Sequence, residues 1–469
     1  MKHGRFSRLQ WRKAAPTLAL SEALEAALPA TLEKTLEWIG DRAVLEAVRE
    51  YGMPETPTPM APADECRYLL QAAAEIEQSL MVQYLFAGNS MAPGMWRNTI
   101  TGIAVEEMGH LITVQNLIIS LGGQTHMDRE NISYEEEPAG DYSFPPSLEK
   151  LSKEAVAKYV TTESPLPDEI TDAGIRAEAL AIAQVAQDAA HRPVRHVGLL
   201  FAKLFWLLQP DDNPHPIWPL PPKPFHGIGH VPDEAFQFDA ALRQADGSEI
   251  FGPPGFIVGK VLSREDALRL VYQIASQGEG PTTDSNSHFW RFLLAYRAYD
   301  AEIGPGIAPV ATNPSTLGGP GRINAARTLA WAKLLNVRYE LILLRLLLAL
   351  QQRRDTPDQT PLGRPQLISA AIYTEMDIGV KPVAARLAQL PIAEGSAEMA
   401  GPPYELPAAA LPGTDTAIKQ RMEELLTESA SQIKALREFT AADAPTADDQ
   451  STLGAIEAAD QELRDALEA

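Results

Sequence analysis

Apolar residues recur at helical spacing along most of the chain. They predict two short helices over residues 17–50, followed by two long helices at about 64–90 and 96–121. Pro93 and Gly94 separate the long helices, and the glycine pair at 122–123 ends the second. No stretch of alternating apolar and polar residues is long enough to suggest a sheet. The pattern therefore predicts an all-α protein.

The second half of the chain continues this pattern, with interruptions. Residues 124–167 read as a crossover loop with at most a short helix near 147–160, and helical spacing returns over 172–208 with a break at Pro193. A Pro-rich segment, 209–255, is long enough to be a lid or a binding segment. Further helices are predicted over 264–277, 321–353 and 365–391, and an acidic, Ala-rich tail from residue 413 contains one amphipathic helix.

Composition excludes several functional classes. The 469 residues carry a net charge of −22, which opposes nucleic acid or an anionic membrane as the main partner. Cys66 is the only cysteine, which favours the cytoplasm. The basic N-terminus is not followed by the apolar segment of an export signal, since Glu22 and Glu25 interrupt it. The most apolar run, 341–350, is too short to cross a bilayer.

Acidic and imidazole side chains occur on both long helices. Glu107 and His110 are three residues apart and share a helix face, and Glu77 lies on the preceding helix, which we expect to be antiparallel. Two carboxylates and one imidazole suit iron, manganese or zinc. A solvated surface pair is the commoner reading of Glu-x-x-His, but apolar neighbours such as Ile103 and Leu111 indicate a buried face, where an unpartnered charge is costly.

A second cluster lies further along the chain and contains Gln277, Glu279 and His288. Nine residues separate the acid from the imidazole, so a loop has to bring them together, and glycines at 278 and 280 allow one. A satisfied core histidine is the alternative interpretation of His288. His196, close to Pro193, is a weaker candidate ligand.

Four segments together resemble the ferritin-like domain of the iminophenyl-pyruvate dimer synthases of violacein and indolocarbazole biosynthesis. They are AAAEIEQSLMVQYLFA, EEMGHLITVQNLIISLGG, QGEG followed by SHFWRF, and AGPPYE. The resemblance implies a ferritin-like helical bundle with long crossover loops and additional C-terminal helices. It divides the chain into an N-terminal extension (1–60), a metal-binding bundle (61–300), C-terminal helices packed on it (301–410) and an acidic tail (411–469).

The resemblance also implies a set of metal ligands, formed by Glu77, Glu107, His110, Glu279 and His288. Di-iron sites of this kind usually take another carboxylate from the third helix, but the matching segment, HVGLLFAKLFWLLQ, contains no acid. The nearest groups are His196 at its start and Glu178 and Asp188 upstream. One metal ion or two are therefore both open.

Two functions follow. The first is an iron-dependent oxidoreductase of specialised metabolism that uses dioxygen or peroxide on a small amino-acid-derived substrate. A homo-oligomer is compatible with this function. Its pocket would be lined by aromatic residues, namely Tyr84, Trp218, Phe225 and Trp290. The alternative is a ferritin-like scaffold or binding protein without a redox metal, which would use the Pro-rich segment 209–255 for its partner.

Overall fold

The computed structural model of the chain describes residues 4–12, 52–132, 146–166, 169–210, 217–218, 229–250, 252, 255–278, 285–355, 360–440 and 443–469. Twelve α-helices and two three-residue strands form in these ranges, which confirms the all-α prediction. The two helices predicted over 17–50 lie outside the described residues. Strands β1 (Gln10–Arg12) and β2 (Met53–Glu55) pair antiparallel as a short ribbon.

Two long helices, α1 (Pro62–Asn89) and α2 (Met95–Ser120), pack along each other at the centre of the molecule. Proline at the first helical position starts α1, where its missing N–H costs nothing. Helix α2 ends because Gly122 adopts φ +68°, and the N–H of Gly123 then donates to the Ile118 carbonyl at 2.9 Å. Both predicted helices therefore form within two residues of their expected ends.

Five shorter helices surround this pair: α3 (Lys153–Thr162), α4 (Ala173–Ala190), α5 (Gly198–Leu208), α6 (Arg264–Gly278) and α7 (His288–Ala298). Helix α3 packs against α4 and α7, while α5 packs against α1 and α6. Side-chain caps begin three of them, with Ser152 on α3, Asp172 on α4 and Ser287 on α7. The helical region predicted over 172–208 is two helices, because α4 stops at His191 with φ 53°.

The Pro-rich segment 209–255 is partly packed against the bundle. Its described portion includes two short 3₁₀ helices, Asp233–Ala235 and Phe238–Arg243. The buried Arg364 guanidinium donates to the carbonyl oxygens of Arg243 and Gln244 at 3.1 and 2.8 Å and pairs with Glu249. The region 229–250 is thus fixed by hydrogen bonds to a C-terminal helix, and it is not a free lid.

Beyond the bundle, α8 (Ala326–Gln351) packs on one continuous helix that passes from α-helical to π-helical geometry and back. This continuous helix consists of α9 (Arg364–Ser369), a π-helix (Ala370–Val380) and α10 (Lys381–Leu387). A proline inside a helix cannot donate its hydrogen bond and collides with the carbonyl four residues earlier. For Pro382 that carbonyl belongs to Ile378, which lies inside the wider π-helix and not in a regular α-helical turn.

The acidic tail forms two helices, α11 (Asp415–Glu438) and α12 (Ala447–Glu468), whereas the sequence predicted one amphipathic helix and left a second, weakly packed one open. Thr414 caps α11, and Thr446 with Asp449 forms a capping box on α12. Helix α11 packs on α8, so the tail belongs to the folded body. Within the described ranges, no helix combines the length and the apolarity required to cross a bilayer.

Candidate metal centre

Four helices bring carboxylates and imidazoles to one buried point. Glu77 lies in the middle of α1, Glu107 and His110 share one face of α2, Glu163 follows the last residue of α3, and His288 begins α7. None of these five residues is more than 4% exposed. The geometry is possible because each helix buries an apolar face and presents one or two polar groups within it.

The five side chains form two groups of three that share Glu107. Glu77, Glu107 and His110 make one group, and Glu107, Glu163 and His288 make the other, with potential ligand atoms within 4.8 Å of one another in each. Glu107 Oε2 lies 2.8 Å from Nδ1 of His110, and its Oε1 lies 2.9 Å from Nδ1 of His288. Each oxygen of Glu107 therefore faces a different group, so this one carboxylate could contribute a ligand atom to both.

The second group contains two buried polar atoms that hydrogen bonds leave unsatisfied. Oε1 of Glu107 and Nδ1 of His288 lie 2.9 Å apart without a hydrogen bond between them, and Oε2 of Glu163 lies 3.5 Å from the same nitrogen. Buried polar atoms without hydrogen bonds are rare and costly. A cation bound among these three side chains would satisfy both atoms.

A small cavity adjoins the cluster. It measures about 20 Å³ and is lined by Glu77, Glu107, His110 and Glu163 on its polar side and by α5 and α6 on its apolar side, where Phe201 and Ile274 contribute. This volume admits a metal ion with a water molecule or a diatomic gas. It does not admit an amino-acid-sized molecule.

Each imidazole is oriented through its outer nitrogen. Nε2 of His110 lies 2.8 Å from Oε1 of Gln277, which accepts a hydrogen bond from it, and Nε2 of His288 lies 2.9 Å from Oε2 of Glu106. These bonds keep the Nε2 proton in place and leave Nδ1 as the nitrogen that faces the carboxylates. The Gln277 amide is itself held, since its Nε2 donates to Glu106 at 3.1 Å and to the Gly255 carbonyl at 2.7 Å.

Electrostatic interactions define the protonation state of the metal-free cluster. Burial opposes charge on His110, but the adjacent Glu107 and Glu77 raise its pKa to about 10, and Glu107 and Glu106 likewise raise the pKa of His288. Burial raises the pKa of Glu77 to about 8. Burial acts in the same direction on Glu107, but the charges of His288 and His110 bring its pKa below the usual range. In the metal-free cluster, protons on the two histidines and on Glu77 therefore balance the negative charge of the carboxylates.

The outer carboxylate, Glu106, is anchored by a cation. Burial alone would raise its pKa, but hydrogen bonds from His288 and Arg291 lower it below the usual range. Arg291 Nη1 donates to Oε1 at 3.0 Å. Glu106 therefore stays ionised and accepts a hydrogen bond from Nε2 of His288.

Tyr84 lies beside the cluster and contacts Glu163 of the second group. Its hydroxyl donates to Oε1 of Glu163 at 2.5 Å, and its ring packs on Tyr159 and Phe292 at centroid distances of 4.8 and 4.9 Å. Burial and the Glu163 charge raise the pKa of Tyr84 well above its usual value, so the phenol remains a neutral donor. His196 is close by, with Nδ1 2.9 Å from the Ser164 carbonyl oxygen, but it belongs to neither ligand group.

The structure brings together four of the five strongest sequence candidates, Glu77, Glu107, His110 and His288. The fifth, Glu279, lies outside the described residues. Of the residues proposed for an aromatic pocket, Tyr84 is at the cluster, whereas Trp218 packs on Phe205 and Tyr272, and the ring of Trp290 faces the Arg297 guanidinium at 5.6 Å. Neither tryptophan lines the cavity at the cluster, and Phe225 is not among the described residues.

The third-helix carboxylate is Glu163, which the sequence analysis missed. The sequence placed the third helix of the bundle within residues 172–208. The helix that reaches the cluster is α3, which lies in the segment interpreted as a crossover loop. Glu178 pairs with Arg297, and Asp188 accepts a hydrogen bond from Gln184 at the surface. A signal was present: Glu163 follows Tyr159 by four residues and Val156 by seven, so it continues the buried face of an amphipathic helix.

Comparison with known proteins agrees with this geometry. A family model described as Ferritin-like matches residues 70–297, a range that includes every member of the cluster. No curated protein and no solved structure gives a significant match. The helical architecture and this match together describe an all-α, ferritin-like fold, whose carboxylate and histidine groups could bind a metal.

Proposed function

We propose that the protein is a metal-dependent oxidoreductase whose centre holds two metal ions, with iron as the resident metal and manganese or zinc as alternatives. The observation that carries this proposal is Glu107, one buried carboxylate that presents a different oxygen to each of two carboxylate–histidine groups. Ferritin-like carboxylate centres combine a Glu from each of two helices with Glu-x-x-His motifs. Glu77, Glu163 and the Glu107–His110 pair match three parts of that pattern, and His288 supplies the imidazole of the fourth.

The residues of the chain would divide the work of binding and orienting. Glu77 and His110 would hold one ion, Glu163 and His288 the other, and Glu107 both. Bound iron would supply the redox chemistry that dioxygen or peroxide requires. Gln277 and Glu106 orient the two imidazoles through their Nε2 atoms. The Tyr84 hydroxyl donates a hydrogen bond to Oε1 of Glu163, so it keeps a proton next to that carboxylate. The apolar walls from α5 and α6 exclude bulk water.

The substrate class rests on the family resemblance. The segments shared with iminophenyl-pyruvate dimer synthases favour a small amino-acid-derived molecule in specialised metabolism. The cavity at the cluster is large enough for a small oxidant and too small for an amino-acid-sized molecule, which supports the oxidant part of the proposal. The scaffold alternative was motivated by the missing third-helix carboxylate, and Glu163 takes that place.

The test joins metal content to turnover. The Glu107→Ala variant is expected to lose both ions and all iron-dependent oxygen uptake, because both groups depend on this carboxylate. Glu178→Ala is the matched control, since it removes a helical carboxylate that pairs with Arg297 away from the cluster. Elemental analysis and an oxygen electrode measure the two quantities on ferrous-loaded protein. Retention of metal and turnover in Glu107→Ala would contradict the assignment.

A further inference from the structure

A second cavity lies on the opposite side of α1 and α2 from the metal centre. Its volume is about 120 Å³, and its walls come from α1, α2, α8, the π-helix and, outside these helices, Ile250, Gly252, Phe256 and Tyr404. Met81 and Leu85 of α1 and Met108 and Ile112 of α2 line it, whereas Leu80, Glu107 and His110 line the cavity at the cluster. The two cavities share no lining residue, so they are separate sites.

The lining is almost entirely apolar. It contains no charged side chain, and its two phenols, Tyr339 and Tyr404, have partners elsewhere, since Gln78 lies 2.9 Å from one hydroxyl and Asn89 3.4 Å from the other. A charged or strongly polar molecule would lose its hydration there without compensation. The chemistry therefore selects a neutral, apolar occupant.

Several wall residues keep part of their apolar surface uncovered by protein. Leu85, Val105, Met108, Leu346, Ile372 and Met376 are half-buried although they converge on this one cavity. Three methionines are among the lining residues, and their flexible thioethers adapt to ligands of different shape. A well-packed core does not normally leave a void of this size.

The π-helix forms one wall of the cavity. Ala371, Ile372, Met376 and Val380 line it, at spacings of four and five residues that keep them on one face of the helix. The small Ala371 side chain leaves open space that a larger residue would fill. Single-turn π-bulges are frequent at functional sites, and here eleven residues take this form.

We propose that this cavity binds a neutral apolar molecule, or the apolar portion of one, about the size of a single aromatic ring. An engineered cavity of about 150 Å³ lined by Leu, Ile and Phe binds benzene, and the present one is close to it in size and lining. The occupant lies behind the metal centre, with α1 and α2 between them. The proposal does not depend on the ions.

Benzene is the probe, and isothermal titration calorimetry of the full chain is the measurement. Saturable binding at one site is expected, with benzoate, which has a similar ring and a charge, binding at least tenfold more weakly. Ala371→Leu and Ile372→Phe fill the space from two positions and should each weaken benzene binding at least tenfold. Ala458→Leu makes the same change as the first variant on an exposed face of α12 and should leave binding unaltered.

Metal content separates this test from that of the oxidoreductase. Both filled variants should keep the circular dichroism spectrum of the unaltered protein, which shows that they fold, and an unchanged iron content would show that the metal centre is a separate site. If the unaltered protein does not bind benzene saturably, or if benzoate binds equally well, the proposal is wrong. Equal benzene binding by a folded filled variant would place the ligand elsewhere and would overturn it as well.

Discussion

At the scale of single residues, the cluster concentrates buried charge. Glu77 and Glu163 each lie close to Glu107 in one of the two groups, and Glu106 adds a fourth carboxylate that Arg291 compensates. Buried carboxylates without counter-charges are strongly destabilising. Protons on His110 and on its neighbours reduce this repulsion, and divalent cations would remove it.

Metal affinity is accordingly expected to rise with pH. The pKa of His110 is raised to about 10 in the metal-free cluster, so at neutral pH an ion has to displace a proton from Nδ1. For each proton that binding releases, the apparent affinity for the metal should rise about tenfold when the pH rises by one unit. Titration with ferrous iron under anaerobic conditions between pH 6 and 8 measures this slope. An affinity independent of pH would mean that the ion does not bind at these imidazoles.

Gln277 is expected to act on the metal through His110. Gln277→Met keeps the length of the side chain but removes the acceptor for Nε2–H, and the metal affinity should fall about 10- to 100-fold. Gln277→Glu retains an acceptor oxygen but loses the two hydrogen bonds that the amide donates to Glu106 and Gly255, so it should recover only part of the loss. A purely structural role would instead lower stability in both variants, so urea unfolding is measured alongside metal binding. Unchanged affinity in the Met variant would contradict the assigned role.

At the scale of elements, the π-helix is held against α8 by close packing. Gly379 lies against the buried Arg338 side chain, and a Cβ at this position would come within 2.7 Å of its Cδ. That side chain cannot retreat easily, because it pairs with Asp460 at 2.6 Å. Glycine is therefore required here by the neighbouring helix.

Gly379→Ala should destabilise the protein by about 1–3 kcal/mol, as overpacking in a core typically does. Gly454→Ala is the matched control, because this glycine also lies within a helix and a Cβ there meets nothing within 4 Å. The control should be more stable by about 0.5–1 kcal/mol, since alanine loses less entropy on folding. Urea unfolding monitored by circular dichroism compares the two. Equal effects would contradict the packing argument.

The sequence predicted the elements with long regular periodicity and missed those that depart from it. Helices α1, α2 and α6 have repeated apolar faces, and their motifs placed Glu77, Glu107 and His110 correctly on facing helices. Glu163 was missed because it lies just beyond the short helix predicted near 147–160, in a segment interpreted as a crossover loop, whereas the third helix of the bundle was placed within 172–208. The π-helix was read as ordinary helix, because a test for 3.6-residue periodicity does not separate the two.

At the scale of the whole molecule, buried ion pairs join the tail to the bundle-side helices. Arg338 of α8 donates to Asp460 of α12 at 2.6 Å, and Ser429 of α11 donates to the same carboxylate at 2.5 Å. Glu375 of the π-helix lies 3.4 Å from Arg338 and 3.0 Å from Arg345. These contacts connect α8, the π-helix and α12 through charged side chains, and α11 joins them through the Ser429 hydroxyl. The sequence could not predict them, because it does not specify which helix faces meet.

Asp460→Ala should destabilise the folded protein by about 3 kcal/mol, because it leaves the Arg338 guanidinium buried with only the more distant Glu375 as counter-charge. Asp465→Ala, on the exposed face of the same helix, should change stability by less than about 0.5 kcal/mol. Chemical unfolding of both variants measures the difference. A small effect at residue 460 would show that the tail docks by apolar packing alone.

The number of metal ions per chain tests the central proposal most directly. Anaerobic loading with ferrous iron, removal of the excess and elemental analysis should give two ions for the unaltered chain and for Glu178→Ala, and one for Glu163→Gln, which weakens only the second group. The same preparation by Mössbauer spectroscopy should show two ferrous environments that reduce to one in Glu163→Gln. An unaltered chain that takes up no metal, or a Glu163→Gln variant that keeps two ions, would contradict a centre bridged by Glu107.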